Sequence, residues 1–127
     1  MPEIEKTVTQ EQVNAYADAA RDWNPIHLDE EFASETQFGQ RIAHGMLGLG
    51  FISEMMNTAF PNRWAAGGTL KVRFKAPIFP GETVITKGEI TKVTENAEGR
   101  FATCSIGCIK PDGSEAISGT ATVPLDG

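Results

Sequence analysis

Gly45-Met46-Leu47-Gly48-Leu49-Gly50-Phe51-Ile52-Ser53-Glu54-Met55-Met56-Asn57-Thr58-Ala59-Phe60 is a long run of small and apolar residues. Wound into a helix, it carries apolar or small residues around nearly its whole circumference up to Ser53. A helix that is apolar all round is a buried helix. Gly48 and Gly50 each disfavour a helix by roughly 1 kcal/mol relative to Ala. Close approach of neighbouring backbone or of a ligand is the usual compensation for such glycines. Pro61-Asn62 ends the run. No uninterrupted apolar stretch approaches the ~20 residues that span a bilayer.

Downstream of this helix the pattern changes to β. Thr69-Leu70-Lys71-Val72-Arg73-Phe74-Lys75 alternates strictly, which places Leu70, Val72 and Phe74 on one face. Pro80-Gly81 marks a turn, and 82–93 reads as the next strand. Asn96-Ala97-Glu98-Gly99 is another turn, 100–109 a third strand, Pro111-Asp112-Gly113 a hairpin turn and 114–123 a fourth strand. Cys104 and Cys108 fall on one face of the third strand. A straight strand holds them roughly 13 Å apart, too far for a disulfide. They read as buried free thiols, and without a Cys-x-x-Cys pair they give no zinc site. An antiparallel sheet wrapped around a central buried helix is an α+β arrangement, the hot-dog fold. The expected organisation is one such domain over residues 1–127. Its sheet has edge strands with unpaired backbone groups, so a homodimer, or pairing with a similar chain, is expected.

Upstream, 3–8 alternates weakly through Ile4 and Val8 and reads as an edge strand. Thr9-Gln10-Glu11-Gln12 has the capping-box pattern, and Val13, Tyr16, Ala17 and Ala20 follow at helical spacing. That helix stops before Pro25, because a residue ahead of proline avoids the helical region. The next residues are Asp22-Trp23-Asn24-Pro25-Ile26-His27-Leu28-Asp29. Asn24-Pro25 predicts a turn that lets Asp22 and His27 point toward one place. A carboxylate and an imidazole, with ordinary pKa values near ~4 and ~6.5, can exchange protons around neutral pH. Asp29, followed by Glu30 and Glu31, reads as the start of a short helix running to about Thr36. Asn24 is expected to orient the segment, and His44 to make a structural hydrogen bond. Gly45 opens the apolar helix, where backbone N–H groups are free and the dipole is positive. Ser53, further along that helix, could face the same site.

Asp22-Trp23-Asn24-Pro25-Ile26-His27-Leu28-Asp29, with Phe32-Ala33, Ala43-His44-Gly45-Met46 and Val72-Arg73-Phe74-Lys75-Ala76-Pro77, resembles the MaoC-like hydratases, the (R)-specific enoyl-CoA hydratase family. The likeness continues through Ile78-Phe79-Pro80-Gly81-Glu82-Thr83-Val84. One departure is Arg21, where many members carry Gly. The resemblance implies a hot-dog dimer that adds water to a trans-2-enoyl-CoA, giving an (R)-3-hydroxyacyl-CoA, or runs the reverse dehydration. It implies Asp22 and His27 as the catalytic pair, the Gly45 amide as the oxyanion donor, and Asn24, Ser53 and His44 in support. No metal or cofactor is implied beyond the CoA thioester itself, and an acyl-carrier-protein thioester stays open as substrate.

Composition is consistent with that reading. The chain has 127 residues, 40% hydrophobic and 22% charged, an ordinary soluble makeup. A net charge of -6 and a pI near 4.9 argue against a nucleic-acid partner, whose phosphates need clustered Lys and Arg. The N-terminus lacks a signal-peptide layout, so a cytoplasmic location without membrane attachment is expected. Two other functions compete. A hot-dog thioesterase needs a carboxylate and a helix-end oxyanion site but not the Asn-Pro-Ile-His segment. A non-catalytic acyl-CoA-binding partner of a heterodimer should have lost the pair, and both residues are present.

Overall fold

A computed structural model describes residues 1–126. In chain order these are β1 (Glu5–Thr7), α1 (Gln10–Ala20), α2 (Pro25–Leu28), α3 (Glu30–Ser34), α4 (Gly45–Ala59), α5 (Arg63–Gly67), β2 (Thr69–Phe74), β3 (Thr83–Asn96), β4 (Gly99–Ile109) and β5 (Glu115–Pro124). The strands form a five-stranded sheet in the order β1-β3-β4-β5-β2, with every pairing antiparallel. This is the hot-dog fold, an α+β arrangement in which the sheet curves against α4.

The turns fall where the sequence places them. Gly81, Gly99 and Gly113 take positive φ of 100°, 124° and 88°, a region glycine enters without steric penalty. Asn96 pairs with Gly99, closing the β3–β4 hairpin. Gly119 faces Val72 across the β5–β2 pair. A Cβ there would collide with the Lys71 carbonyl and lie 2.8 Å from Val72 Cα. The core packs Phe51, Ile52, Met55 and Met56 of α4 against Val84, Cys104, Ile106, Cys108, Ile117 and Val123 of the sheet. Both cysteines are free and fully buried. Burial pushes the Cys108 thiol up to about 11.

Two expectations need correction, the burial of α4 and the capping box of α1. The helix α4 is buried on one side only: Gly48, Phe51, Ile52, Met55 and Met56 face the core, while Met46 is 56% exposed and Gly50 and Glu54 are also exposed. The sheet of one chain covers one flank of a helix, so the apolar residues on its other flank stay open. Phe74 lies on the same face as Leu70 and Val72, opposite Ile117, and at the end of β2 it is 55% exposed. The capping box of α1 is half formed, since Thr9 Oγ1 accepts from the Gln12 amide at 3.1 Å but Gln12 Oε1 is buried without a partner. Helix α5 was not anticipated; its Trp64 is buried and belongs to the core.

Candidate active site

Helix α1 ends at Arg21, which takes φ 56°, ψ 41° in the left-handed region. The Asp22 amide donates back to Ala17 O at 3.0 Å, so the chain leaves the helix sharply and presents the Asp22 side chain outward. Pro25 then occupies the first turn of α2, where its missing N–H has no consequence. Asn24 caps this single helical turn, its Oδ1 accepting from the Ile26 amide at 3.1 Å. The link between Asp22 and His27 is therefore a one-turn helix rather than a plain turn. Asp29 closes α2 and caps α3, its Oδ1 accepting from the Phe32 amide at 3.1 Å, the helix-start role read from the sequence.

Asp22, His27 and His44 come together, with one ligand atom from each lying within 4.8 Å of the others. His27 Nδ1 lies 2.7 Å from Ile42 O. A carbonyl only accepts, so Nδ1 carries the proton and Nε2 keeps a free lone pair when the ring is neutral. His44 is 3% exposed, and its Nε2–H donates to the Asp22 carbonyl at 2.9 Å. That is a structural hydrogen bond, while the Asp22 carboxylate stands further off, 4.0 Å from the same nitrogen. The two imidazoles stack with centroids 3.8 Å apart and planes at 26°. Tyr16 flanks His44 at 4.8 Å. His27 Nδ1 and His44 Nε2 both carry protons directed at carbonyl oxygens, so neither of these nitrogens is free to ligate a metal ion.

The Asp22 side chain is 52% exposed, so water reaches it. Its Oδ1 also accepts weakly from the Asn24 amide at 3.4 Å. Burial lowers the His27 pKa from its ordinary value; the Ile42 hydrogen bond opposes this, the neighbouring His44 adds to it, and Asp22 opposes it. His27 is therefore neutral at pH 7, with Nε2 able to take a proton.

Directly after His44, α4 begins at Gly45 with no side-chain cap. The Gly45 amide donates to nothing among the described residues. A cavity of about 320 Å³ opens beside it, with Ile42, His44, Gly45, Phe74, Ile78 and Ile117 in its walls. A Cβ at Gly45 would stand 3.0 Å from the Phe74 ring, so Phe74 packs directly against the glycine. His44 links the two features: it belongs to the cluster with Asp22 and His27 and to the wall of the hollow, which Asp22 and His27 do not themselves line. Ser53 is placed elsewhere. Its Oγ accepts from the Trp64 indole at 2.9 Å, tying α4 to α5, and eight residues of helix from Gly45 are roughly 12 Å. Three participants escaped the sequence reading: the Ile42 carbonyl, the Tyr16 ring and the Phe74 wall. The first is a backbone atom without a side-chain signature. The other two lie on helix and strand faces whose patterns indicate core packing.

Comparison with known proteins matches residues 1–106 to the family model of the MaoC like domain. An (R)-specific enoyl-CoA hydratase of Rhodospirillum rubrum is 36% identical over 120 residues, 94% of this chain and 81% of that protein. A 3-hydroxybutyryl-CoA dehydratase of Methylorubrum extorquens is 38% identical over 106 residues, 82% of this chain and 68% of that protein. Among solved structures, the (R)-hydratase from A. caviae involved in PHA biosynthesis aligns with a TM-score of 0.85 at 30% identity, covering 98% of this chain and 93% of that one.

Proposed function

Because the chain belongs to the MaoC-like domain family, we propose that it adds water to a trans-2-enoyl-CoA, giving an (R)-3-hydroxyacyl-CoA, or runs the reverse dehydration, through Asp22 and His27. It is a hydro-lyase, as its relatives are. The observation that supports the assignment of residues is the convergence of Asp22 and His27 on His44, the residue directly ahead of the Gly45 amide at the start of α4.

In the hydration direction, one water sits between the Asp22 carboxylate and His27 Nε2. Its oxygen bonds to C3 of the enoyl group, and its proton passes to the pair. The electrons of the C2–C3 double bond move toward the thioester, placing negative charge on the thioester oxygen. The Gly45 N–H, at the positive end of α4, donates to that oxygen. The pair then delivers a proton to C2 on the same face, which restores the carbonyl. One water and one pair of groups therefore account for both new bonds, and the reaction draws on no cofactor beyond the thioester. Asn24 holds α2 in place, and His44 holds the Asp22 backbone.

Loss of enoyl-thioester absorbance with crotonyl-CoA tests this reading. Wild type should hydrate, and Asp22→Asn and His27→Gln should each lose at least about 10²-fold in turnover while keeping the wild-type circular dichroism. Full activity in either variant removes that residue from the mechanism. Release of free thiol without hydration makes the chain a thioesterase instead.

A further inference from the structure

The segment between β2 and β3, residues 75–82, has no regular secondary structure, yet it forms part of the cavity wall through Ala76, Pro77 and Ile78. Its Ile78 carbonyl accepts from the Ala43 amide at 2.8 Å. The neighbouring residue, Ile42, is tied to α2 on both sides: its amide donates to Ile26 O at 3.2 Å, and its carbonyl holds His27 Nδ1 at 2.7 Å. The imidazole is therefore fixed by the 41–44 strip, and that strip in turn lies on the 75–82 segment.

What fixes the segment is a lysine outside the site. The Lys110 side chain, just past β4, is 8% exposed. Its Nζ donates to Pro77 O at 2.6 Å, lies 3.3 Å from Glu82 Oε1 and sits 4.7 Å from the centroid of the Phe79 ring. Glu82 Oε1 also accepts from the Phe79 amide at 2.7 Å. One buried cation thus holds Pro77, Phe79 and Glu82, the residues that bracket Ile78. A buried ammonium needs such partners to offset its lost hydration. The proposed chemistry uses neither Lys110 nor Glu82.

The geometry points to Lys110 as a positioning residue for His27, acting through Pro77, Ile78, Ala43 and the Ile42 carbonyl. Its effect on turnover rests on the hydration reading above; its effect on the imidazole does not. Two readouts separate them. The first is crotonyl-CoA hydration, measured well below the melting temperature of every variant. Lys110→Met should lower kcat by about 10- to 100-fold, the scale expected when a reacting group is misplaced by about 1 Å, with KM little changed. The second is the ¹⁵N shift pair of the His27 ring, which reports its tautomer independently of activity. In wild type the neutral ring should be the Nδ1–H form, as the Ile42 bond requires. Lys110→Met should give a mixture of tautomers, and Lys110→Arg, which keeps a cation and its donors, should restore the Nδ1–H form and most of kcat. A Lys110→Met protein with a lower Tm but wild-type kcat and a fixed Nδ1–H tautomer overturns the inference and leaves the lysine a purely structural group. A wild type that does not hydrate, with the tautomer still freed in Lys110→Met, overturns the functional reading and leaves the positioning role in place.

Discussion

Gly45 is where one hydrogen atom in place of a side chain matters most. An added Cβ would stand 3.0 Å from Phe74 Cε1, but that ring is 55% exposed and can turn aside. Gly45→Ala should therefore fold with a Tm close to wild type, while its methyl group obstructs access to the amide. We expect a loss of about 10²-fold in crotonyl-CoA turnover, comparable with removing an oxyanion donor, and kinetics beside a thermal melt check both halves. His27 carries a pH prediction. Its pKa is lowered from 6.5, chiefly by burial, so the neutral ring persists to lower pH than in a free peptide. The acidic limb of kcat/KM should lie below pH 6.5, and a limb above it would contradict a His27 base. The stability sign follows: the unfolded chain takes up the proton first, so as pH falls from 6.5 toward the folded-state pKa, the His27 contribution to stability declines. The Asp22–His27 pairing was legible because both partners are side chains of suitable chemistry in one short segment. The Ile42 carbonyl was not, because every residue has a carbonyl and only the fold brings this one to the ring. Arg21 falls between these cases. Its φ of 56° lies in the left-handed region, which side chains disfavour by about 1–2 kcal/mol and glycine enters freely.

At the scale of elements, α4 separates two glycines that look alike in the sequence. A Cβ on Gly48 would meet Ile117 Cδ1 at 2.9 Å and Ile78 Cδ1 at 3.1 Å, whereas one on Gly50 would meet nothing within 4 Å. Gly48→Ala should destabilise by about 1–3 kcal/mol through overpacking. Gly50→Ala should stabilise by up to about 1 kcal/mol through helix propensity. Urea unfolding of the two variants should show shifts of opposite sign; the same sign for both would mean that Gly50 is packed after all. The strands were read almost to the residue, because alternation and the turns at Gly81, Gly99 and Gly113 punctuate them. The helix was placed correctly in sequence but given too much burial. Composition shows that a surface is apolar, not which neighbour covers it. Ser53 was misplaced for a related reason: helical spacing gives its distance along α4, while the facing element, α5 with Trp64, carried no pattern strong enough to be foreseen.

For the whole molecule, the open features lie at its margins. Among the described residues β2 pairs only with β5, leaving its other edge unpaired, and Met46 on α4 and Phe74 at the end of β2 are exposed. We propose that two copies associate over these surfaces, as an uncovered strand edge invites. Sedimentation at micromolar concentration should give a dimer, and a clean monomer rejects the proposal. No helix among the described residues is long and apolar enough to cross a membrane. The strand order has a further consequence, for the moment at which the molecule becomes competent. Asp22, His27 and Gly45 all precede β2 in the chain, and among the described residues β2 finds its partner in β5 alone, with Leu70 opposite Ala121. Ile117, which lines the cavity, is made later still than Lys110. Pairings so distant in sequence form slowly and late. A growing chain therefore carries Asp22, His27 and Gly45 before it has Ile117, and the cavity beside Gly45 lacks that wall until β5 docks.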